Sequence, residues 1–581
     1  MDYRETLNLP QTDFKMKANL TQREPAALKE WEQKRLYSKI QEKAQGKPLF
    51  VLHDGPPYAN GNIHLGTAFN KILKDIILRS RRLLGYNAPY VPGWDCHGLP
   101  IEHNVDLELG EKKKTIPLLS KRAACRKYAE KWIKKQKEQF KRLGVLGDWD
   151  DPYLTMNFPY EATIADEFNK FLLSGAVVRS KKPVYWCNTC QTALAEAEVD
   201  YADHSSPSVY VKFPLPGDLT GLSPALAGKK VSVLIWTTTP WTLPANLAIA
   251  LHPDFTYAAV EVDGEVFILA ADLVEPCMQL FGMENWSTLA TFSARDLEGK
   301  KARHPFAERD SLLVLADYVT ADSGTGCVHT APGHGTDDYL TGLRYNLEIL
   351  SPVDDEGHYT KEAGKYAGKQ VPEVNLEIIQ DLAAAGMLVK EQKIQHSYPH
   401  CWRCKEPVIY RATPQWFVSM DKLDLRKKAL AAIDTVTWTP AWGKQRIYGM
   451  VEARPDWCLS RQRTWGVPLT VLSCTECGEV LVDRQACERI KELFQKEGSD
   501  AWFKYEAADF LPEGTRCACG STTFRKESDI LDVWFDSGTS HAAVLETRSD
   551  LRSPADLYLE GSDQHRGWFQ SSLLTSVGTR N

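Results

Sequence analysis

The stretch PLFVLHDGPPYANGNIHLGT, residues 48–67, decides the fold. Its apolar residues 49–52 predict a buried strand, and the glycine- and proline-rich residues that follow predict a loop. Beyond this stretch, apolar residues recur at helical spacing at Ile72, Leu73, Ile76, Ile77 and Leu84. The order strand, glycine loop, helix is typical of a nucleotide-binding unit.

A second unit of the same kind lies near the end of the chain. Residues 556–559 are strand-like, residues 560–564 form a polar loop, and a helical stretch begins near His565. Two such units, far apart in sequence, indicate one parallel sheet that is split by large insertions. The fold class that we predict is therefore α/β, built on a Rossmann-type parallel sheet.

The loop before the first helix has the composition of a phosphate site. A helix N-terminus presents unpaired N–H groups and the positive end of a dipole, and both attract phosphate. Gly55, Gly61 and Gly66 allow a close approach of the backbone, and His64 can donate a hydrogen bond to a phosphoryl oxygen. The alternative is an ordinary strand-to-helix turn that contains a histidine.

Composition narrows the class of protein. The length of 581 residues predicts roughly three to five domains. A net charge of −6 excludes a uniformly basic nucleic-acid binder, so any such binding must come from local patches. The sequence shows no signal-peptide core and no run of the roughly 20 apolar residues that span a bilayer. We therefore expect a cytoplasmic protein without membrane contact.

The clearest basic patch is residues 112–114 followed by residues 121–142. Aromatic and aliphatic residues within the second segment fall at helical spacing, which predicts a basic amphipathic helix. Two interpretations remain open for it: a contact with nucleic acid, or the solvated face of an ordinary helix.

Fourteen cysteines indicate metal binding rather than a disulfide framework. Eight of them form four half-sites: Cys187 and Cys190, Cys401 and Cys404, Cys474 and Cys477, and Cys517 and Cys519. The last two half-sites resemble the knuckles of a zinc ribbon, and four thiolates suit a closed, structural Zn²⁺ site. The first two would form a second site, although other combinations remain open. The remaining six are interpreted as small buried residues: Cys96, Cys125, Cys277, Cys327, Cys458 and Cys487.

A region rich in β-type segments separates the two units of the sheet, and we interpret it as a domain of its own. Its strand-like segments are residues 231–236, 256–262, 265–269 and 312–315. The predicted partition is an N-terminal extension (1–47), the first half of the sheet (48–186), a zinc-bearing stem (187–204), the inserted domain (205–390), the returning stem (391–455), a second insertion with the zinc ribbon (456–530) and the second half of the sheet (531–581).

Seven ordered motifs give the chain a resemblance to a known family. They are DGPPYANGNIHLG (54–66), PGWDCHGLPIE (92–102), WTTTPWTLPAN (236–246), GTGCVHTAPGHGTDDY (324–339), CLSRQRTWGVP (458–468), DVWFDSG (532–538) and YLEGSDQHRGWF (558–569). Together they resemble the class I aminoacyl-tRNA synthetases, and within that family the isoleucine-specific branch. The resemblance extends over essentially the whole chain.

The resemblance implies an enzyme that joins isoleucine to ATP, with Mg²⁺, as an adenylate. His64 and Thr67 would be catalytic, and Asp95, together with Gln564, would hold the substrate ammonium group. The residues implied for substrate and ATP binding are Gly55, Pro56, Asn60, Gly66, Asp95, Trp534, Glu560, Gly561, Asp563, Gln564 and Trp568. For Trp534 and Trp568 a structural role is the alternative, since seventeen tryptophans cannot all line pockets.

Two features depart from the family pattern. Thr67 stands where the signature has histidine, and its hydroxyl can donate a hydrogen bond but cannot carry charge. We expect slower adenylate formation, because the loss of a transition-state donor can cost about 2.7–4 kcal/mol. In addition, nothing like the family's KMSKS loop follows the last helix, and the anticodon-binding domain is missing. We therefore expect a truncated chain that falls short of full aminoacylation.

The inserted domain implies a second activity. Isoleucine and valine differ by one methylene, which contributes only about 0.8 kcal/mol when buried, so a separate hydrolytic site would remove valine. The resemblance gives catalytic roles to Thr238, Thr239, His329 and Asp338, and places Thr237 and Asn246 in the pocket. The alternative is a metal site formed by His329, His334, Asp337 and Asp338.

Two other functions remain open on sequence alone. One is a zinc-containing tRNA-binding or editing fragment that does not activate amino acids, and the other is a valine or leucine synthetase. The partners that the resemblance implies are tRNA(Ile), isoleucine and ATP. The expected cofactors are two structural Zn²⁺ ions, and the chain is expected to be a monomer.

Overall fold

The structure is a computed structural model that describes residues 3–13 and 17–580. It divides into two compact units. Unit 1 comprises Met1–Gly175, Asp421–Arg454 and Arg463–Asn581, and unit 2 comprises Ala176–Met420 and Pro455–Gln462. Unit 2 is therefore an insertion in the sequence of unit 1, and each unit is described by itself.

Unit 1 contains a parallel sheet. Strand Leu52–His53 pairs in parallel with Leu557–Tyr558, and Gly93–Trp94 pairs in parallel with Tyr153–Leu154. Parallel bridges link the two pairs: Leu49 with Asn87, and Tyr58 with Asp95. The two strand–loop–helix segments predicted near opposite ends of the chain thus meet in one parallel arrangement, and the predicted α/β fold is confirmed.

The α-helices of unit 1 are Leu20–Gln33, Leu36–Ala44, Leu65–Leu83, Leu99–Leu109, Leu118–Arg142, Phe158–Leu173, Leu425–Thr435, Trp442–Glu452, Arg484–Glu497, Ala501–Lys504, Val533–Gly538 and Trp568–Thr579. A π-helical turn forms at His541–Leu545. The further strands are Leu472–Cys474, Phe524–Lys526 and Ile530–Leu531.

Helix Leu118–Arg142 is the predicted basic amphipathic helix. It buries Cys125, Ile133 and Phe140 in the core of unit 1, where Phe140 packs against Trp94 and Trp149. Its lysines at positions 127, 131, 134 and 135 stay exposed. The helix is confirmed, whereas a contact of its basic face with nucleic acid stays a prediction.

A ten-stranded mixed sheet dominates unit 2. Eight of its strands run in the spatial order Trp286–Ser293, Thr256–Val262, Glu265–Ala270, Lys230–Thr237, Cys327–Thr330, Ala248–Leu251, Asp310–Leu315 and Lys301–Arg303. The other two, Val199–Pro214 and Leu388–Cys401, form a long antiparallel ribbon that joins the sheet along Lys230–Thr237. The four strand-like segments predicted in this region are all strands, because their apolar and β-branched residues supply a buried core.

A second sheet of unit 2 has four strands, which come from the beginning and the end of the sequence of this unit. Its order is Trp457–Cys458, Ile409–Val418, Val177–Cys187 and Thr192–Leu194. The other strand of unit 2 is Ser460–Arg461, and its α-helices are Val274–Phe281, Ala294–Leu297, Thr336–Arg344 and Asn375–Ala384. The seven-part partition is finer than this division into two units, and it stays a prediction.

Two simpler expectations can be compared with the structure. The six single cysteines are all buried, as predicted. Within residues 3–13 and 17–580, none of the helices combines the length and apolar character needed to cross a bilayer.

Candidate functional sites

The signature loop of unit 1 leads into a helix that His64 caps. His64 precedes Leu65–Leu83, and its Nδ1 accepts a hydrogen bond from the backbone N–H of Thr67 at 3.3 Å. A cap of this kind satisfies one of the N–H groups that a first helical turn leaves unpaired. Because Nδ1 is the acceptor, a neutral ring carries its proton on Nε2 and can donate it to a ligand. Gly66 leaves room for the His64 ring because it has no side chain: a Cβ there would lie only 3.0 Å from the His64 Cε1.

A buried charge network lies under this helix. Lys71 and Lys74 point inward from it and both bind the carboxylate of Asp54, and Lys74 also pairs with Glu560 at 2.5 Å. Burial raises the pKa of Asp54, but the two lysines outweigh it and lower the value to about 2. Burial lowers the pKa of Lys71 to about 8. Glu560 was predicted to be part of the site, whereas the other three residues were missed.

Gly55, Glu560 and Trp568 meet just beyond the carboxyl ends of the paired strands Leu52–His53 and Leu557–Tyr558. The backbone N–H of Gly55 donates to Glu560 Oε1 at 3.0 Å, and a Cβ on Gly55 would lie 2.9 Å from Trp568 Cε3. The buried Trp568 ring stacks on Tyr558 with a centroid distance of 4.5 Å. Ligands of open α/β sheets bind beyond the carboxyl ends of the strands, and these three predicted residues lie at that edge.

Asp95 is a buried carboxylate beside His97 and Ser537, both of which favour its charged form. It is 3% exposed, and Thr155 Oγ1 donates to its Oδ1 at 3.4 Å. No ion pair to Asp95 occurs among the residues that the structure describes. Burial, followed by the nearby Asp536, raises the pKa of Asp95 well above its usual value. An ammonium ligand would supply the missing counter-charge.

His97, two residues further on, bridges two buried acids. Its Nδ1 lies 2.8 Å from Asp536 Oδ2, and its Nε2 lies 3.2 Å from Glu161 Oε1. Burial alone would lower the pKa of His97, but the hydrogen bonds to both carboxylates outweigh it and raise the pKa to about 9. Burial raises the pKa of Asp536 to about 6. This buried triad was not predicted, although His97 and Asp536 both lie inside quoted motifs.

The other predicted substrate residues differ in their surroundings. Asn60 is occupied by the fold: its Oδ1 accepts from Asn104 and Tyr128, and its amide donates to the Pro100 carbonyl. Gln564 accepts from the Trp568 backbone and donates to Asp563, and the described contacts do not join it to Asp95. The rest are partly or fully accessible: Pro56 and Trp534 are half-buried, and Gly561 and Asp563 are exposed.

Unit 2 holds a second cluster, at the turn after strand Lys230–Thr237. Thr237 Oγ1 lies 3.3 Å from Thr239 Oγ1, which in turn lies 3.3 Å from Thr242 Oγ1. The ring of the buried His329 touches this chain of hydroxyls, because its Nε2 lies 2.8 Å from Thr242 Oγ1. The opposite ring atom, Nδ1, lies 2.7 Å from the Asn246 amide. Thr242 was missed, although it is part of the quoted WTTTPWTLPAN motif.

Two predicted residues, Thr238 and Asp338, are not among the hydrogen-bonded side chains of this cluster. Thr238 is half-buried between Thr237 and Thr239. Asp338 accepts a hydrogen bond from the Ala331 backbone at 2.8 Å, and burial raises its pKa to about 7. The alternative of a metal site here is not supported. The metal-binding groups found among the described residues are both made of cysteines, and His334 uses its Nδ1 to bind the Tyr410 carbonyl.

The cysteine half-sites combine in the favoured pairing, which their spacing alone had left open. Unit 2 brings together Cys187, Cys190, Cys401 and Cys404, and unit 1 brings together Cys474, Cys477, Cys517 and Cys519. In each group the sulfur atoms lie within 4.8 Å of one another. The closest approaches, 3.4–3.6 Å, resemble the ~3.8 Å between sulfurs that four Zn–S bonds of about 2.3 Å would give. Both groups can therefore hold a tetrahedral metal ion.

The parallel sheet, the capped signature loop and the β-rich insertion define a class I tRNA synthetase. The family model described as tRNA synthetases class I (I, L, M and V) matches residues 26–581. The chain belongs to this family.

The curated relatives of this chain include isoleucine–tRNA ligases. The chain is 71% identical over 581 residues to an isoleucine–tRNA ligase of Desulfotalea psychrophila, covering 100% of this chain and 62% of that protein. It is 58% identical to the isoleucine–tRNA ligase of Geobacter sulfurreducens, of which it covers 63%. The chain thus spans slightly less than two thirds of the length of these relatives. A solved ternary complex of Agrobacterium radiobacter K84 agnB2 LeuRS with tRNA and LeuAMS gives a TM-score of 0.41 at 17% identity, covering 96% of this chain and 64% of that one.

Proposed function

We propose that this chain is the activating and editing part of an isoleucine–tRNA ligase. The proposed reaction joins isoleucine to ATP as isoleucyl-adenylate and passes the amino acid to tRNA(Ile), and a second site hydrolyses valyl-tRNA(Ile). The observation that carries this proposal is the 71% identity to an isoleucine–tRNA ligase over both units of the chain. A cytoplasmic location and a monomeric state are part of the proposal.

In the activation site, each group has a task that its surroundings favour. Asp95 binds the ammonium group, since it is a buried carboxylate that has no ion pair among the described residues. His64 donates from Nε2 to the phosphate groups at the helix N-terminus, where the helix dipole also attracts them. Glu560, with Gly561 and Asp563 beside it, faces the adenylate, and Lys74 holds Glu560 in place. Mg²⁺ enters with ATP as part of the substrate.

The apolar part of isoleucine is proposed to contact Pro56, Trp534 and Trp568. Trp534 and Gln564 both lie against Gly567, where a Cβ would be 2.8 Å from the Trp534 ring and 2.7 Å from Gln564 Oε1. This arrangement favours a pocket in which an aliphatic side chain packs on an indole while an amide lies nearby. Asn60 is proposed to support the loop rather than to touch the substrate.

In the editing site, the threonine hydroxyls are the groups proposed to position a water molecule against the valyl ester. Thr238 and Thr239 are next to each other in the turn, and His329 forms the buried wall behind them. Asp338 is proposed to bind the ammonium group of the mischarged valine. A buried acid with a raised pKa gains from a cationic ligand for the same reason as Asp95.

The two cysteine groups are proposed to hold structural Zn²⁺. Four thiolates with no open coordination position suit a closed site that stabilises its surroundings rather than one that takes part in catalysis. When bound, each ion would tie two chain segments together. In unit 2 these segments are the ends of strands Val177–Cys187 and Leu388–Cys401.

The test is binding of non-hydrolysable isoleucyl-, valyl- and leucyl-adenylate analogues to the chain, measured by calorimetry. We expect the isoleucyl analogue to bind most tightly, and the valyl analogue about fourfold or more weakly, because one buried methylene contributes about 0.8 kcal/mol. Tightest binding of the leucyl or valyl analogue would contradict the proposed specificity. No binding of any analogue would contradict the activating function.

A matched variant tests the role of Asp95. Asp95→Asn keeps the shape of the side chain and removes its charge, so the isoleucyl analogue should bind at least tenfold more weakly. An analogue that lacks the amino group should bind the variant and the unaltered chain equally well. Equal loss for both analogues would mean that Asp95 supports the fold and does not contact the ammonium group.

A further inference from the structure

Five residues of unit 2 form a continuous buried chain of hydrogen bonds. Ser311 Oγ donates to Asn246 Oδ1, and the Asn246 amide lies 2.7 Å from His329 Nδ1. His329 Nε2 lies 2.8 Å from Thr242 Oγ1, which donates to the Thr239 carbonyl at 2.8 Å. Ser311 and Asn246 are fully buried, and His329 and Thr242 are each 6% exposed. Most of this series of hydrogen bonds is therefore shielded from solvent, so exchange with water cannot change the direction of the bonds.

The direction of every bond follows from Asn246. Its Nδ2 lies 2.8 Å from the carbonyl oxygen of Ala248, which can only accept. Its Oδ1 accepts from the Ser311 hydroxyl, so the two ends of the amide cannot be exchanged. The second hydrogen of Nδ2 then points at His329 Nδ1, and this ring atom must be the acceptor.

Once Nδ1 is an acceptor, the remaining choices are fixed. The neutral imidazole must carry its proton on Nε2 and donate it to Thr242 Oγ1. Thr242 can receive this bond because its own hydrogen is directed to the Thr239 carbonyl. A general base needs an available lone pair on a ring nitrogen, and neither nitrogen of His329 offers one.

We propose that Asn246, itself oriented by Ser311 and Ala248, holds His329 in the Nε2–H tautomer, so that His329 acts in editing as a hydrogen-bond donor and pocket wall and not as a general base. Asn246 and Ser311 are then positioning residues, and Thr242 is the acceptor that receives the His329 proton. The role of His329 in editing rests on the proposed function. The tautomer of His329 does not, because it follows from the hydrogen bonds of the chain alone.

The charged surroundings of His329 agree with a neutral ring. Burial is the main cause that lowers its pKa, to about 3, and the titratable groups that face it are His304, His334 and Arg309. Arg309 is charged and disfavours an imidazolium, and His304 and His334 would do the same whenever they are protonated. The ring is thus expected to remain neutral throughout the pH range in which the protein is handled.

The test is ¹⁵N NMR of the chain labelled on its histidine rings, with His329 assigned by the signal lost in His329→Asn. We expect a protonated, pyrrole-type Nε2 and an unprotonated, pyridine-type Nδ1 at neutral pH. Two buried rings give internal references. His304 has the same tautomer, since its Nδ1 accepts from the backbone of Phe306 and Ala307, and His541 has the opposite one, since its Nδ1 donates to the Gly538 carbonyl. An imidazolium, or a pyridine-type Nε2, would overturn the proposal.

Two variants separate the roles of the neighbours. Asn246→Asp replaces the donor by an acceptor, so His329 Nδ1 should become protonated. Thr242→Val removes only the acceptor at Nε2, so the tautomer should stay as it is. Asn375→Asp is the matched control, because Asn375 uses only its Oδ1, which accepts from the Trp241 backbone at 2.8 Å, and an aspartate can do the same. A tautomer that changes in Thr242→Val but not in Asn246→Asp would refute the assigned roles.

The consequence for editing is tested separately, by the rate at which the chain hydrolyses valyl-tRNA(Ile). Without a histidine base, the rate should show no inflection between pH 5.5 and 7.5 that is removed in His329→Asn. Such an inflection would overturn the donor role. If the chain hydrolyses no valyl-tRNA(Ile) at all, the proposed editing function fails, whereas the tautomer measured by NMR still confirms or refutes the hydrogen-bond argument.

Discussion

A few buried titratable residues determine the local electrostatics around Asp95 in unit 1. The buried His97 lies between Asp536 and Glu161, and the latter also accepts from the Ser499 backbone at 2.6 Å and pairs with Arg126. A protonated His97 offsets the negative charge of Asp536. Asp536 is one of the groups that raise the pKa of Asp95. Asp95 itself makes no ion pair with the described residues, although the nearby His97 favours its charged form. The proposed binding of an ammonium ligand would favour the charged form of this buried acid further.

The stability of unit 1 should depend on pH through His97. Its pKa in the folded chain, about 9, lies above the ordinary value of 6.5, so its contribution is complete below pH 6.5 and is lost as the pH rises through 9. His97→Gln should cost roughly 3–5 kcal/mol at pH 6.5, because two buried carboxylates lose their shared cation. The difference in the free energy of unfolding between the two chains should shrink as the pH is raised to 9.5. Denaturant titrations across this range measure it.

His541→Gln is the control for that measurement. His541 is also a buried histidine of unit 1, but burial lowers its pKa to about 4. Its effect on stability is therefore confined to pH values below 6.5, and the difference from the unaltered chain should be constant between pH 6.5 and 9.5. A constant difference for His97→Gln as well would show that His97 is neutral when folded.

At the residue scale, sequence reasoning found the groups with recognisable chemistry and missed their supports. Glycine spacing and motif order led to Gly55, Asp95 and Glu560. Lys71 and Lys74 were missed because lysine on an amphipathic helix is normally exposed, and only the tertiary position of Asp54 explains their burial. Ser311 was missed because no local pattern distinguishes it from the other serines.

Among the elements, helix Leu65–Leu83 shows that apolar spacing can predict a helix without identifying the residues that it buries. Apolar residues at helical spacing predicted the helix, yet the side chains that it buries are Lys71, Lys74, Asp75 and Leu78. Ile76 is 56% exposed and Ile72 is 38% exposed. The ion pairs to Asp54 and Glu560 determine the inward face, and the periodicity of apolar residues alone contains no information about them.

The cysteine turns are elements that the sequence did specify. A CxxC spacing places two thiols on one tight turn, and two such turns complete a site wherever the strands bring them together. In unit 2 the antiparallel ribbon does this, because Cys401 lies directly opposite Val199 at the base of the two strands. The pairing of half-sites could not be decided from spacing, since any two turns can supply four sulfurs.

Removal of one metal site should affect the unit that contains it. We expect two zinc ions per chain by elemental analysis, and one after the double change Cys401→Ser and Cys404→Ser. The thermal midpoint of unit 2 should fall by about 5 °C or more, because metal binding contributes directly to folding. Cys277→Ser is the control, since that buried thiol donates to the Gly324 carbonyl, as a serine hydroxyl also can. Two zinc ions in the double variant would contradict the site.

On the scale of the whole molecule, the insertion is the feature that sequence predicted best. Strands Leu52–His53 and Leu557–Tyr558 pair although they lie at opposite ends of the chain, and their matching strand–loop–helix patterns revealed that they belong together. The finer partition into stem and ribbon segments has no comparable signal, because one strand, Val199–Pro214, continues through the predicted boundary at residue 204. Composition changes little along a strand that runs through such a boundary.

Each unit has its own buried core, so ligands of the two sites should protect different parts of the chain. At 100 times its dissociation constant, a ligand adds about 2.7 kcal/mol to the stability of the unit that binds it. The isoleucyl-adenylate analogue should therefore slow amide hydrogen exchange by up to ~100-fold in residues 48–175 and 531–579 while leaving residues 230–341 unchanged. A valyl-adenosine ester analogue should do the reverse. Asp95→Asn should abolish only the first effect. Equal protection of both units by either ligand would mean that the chain unfolds as one cooperative body.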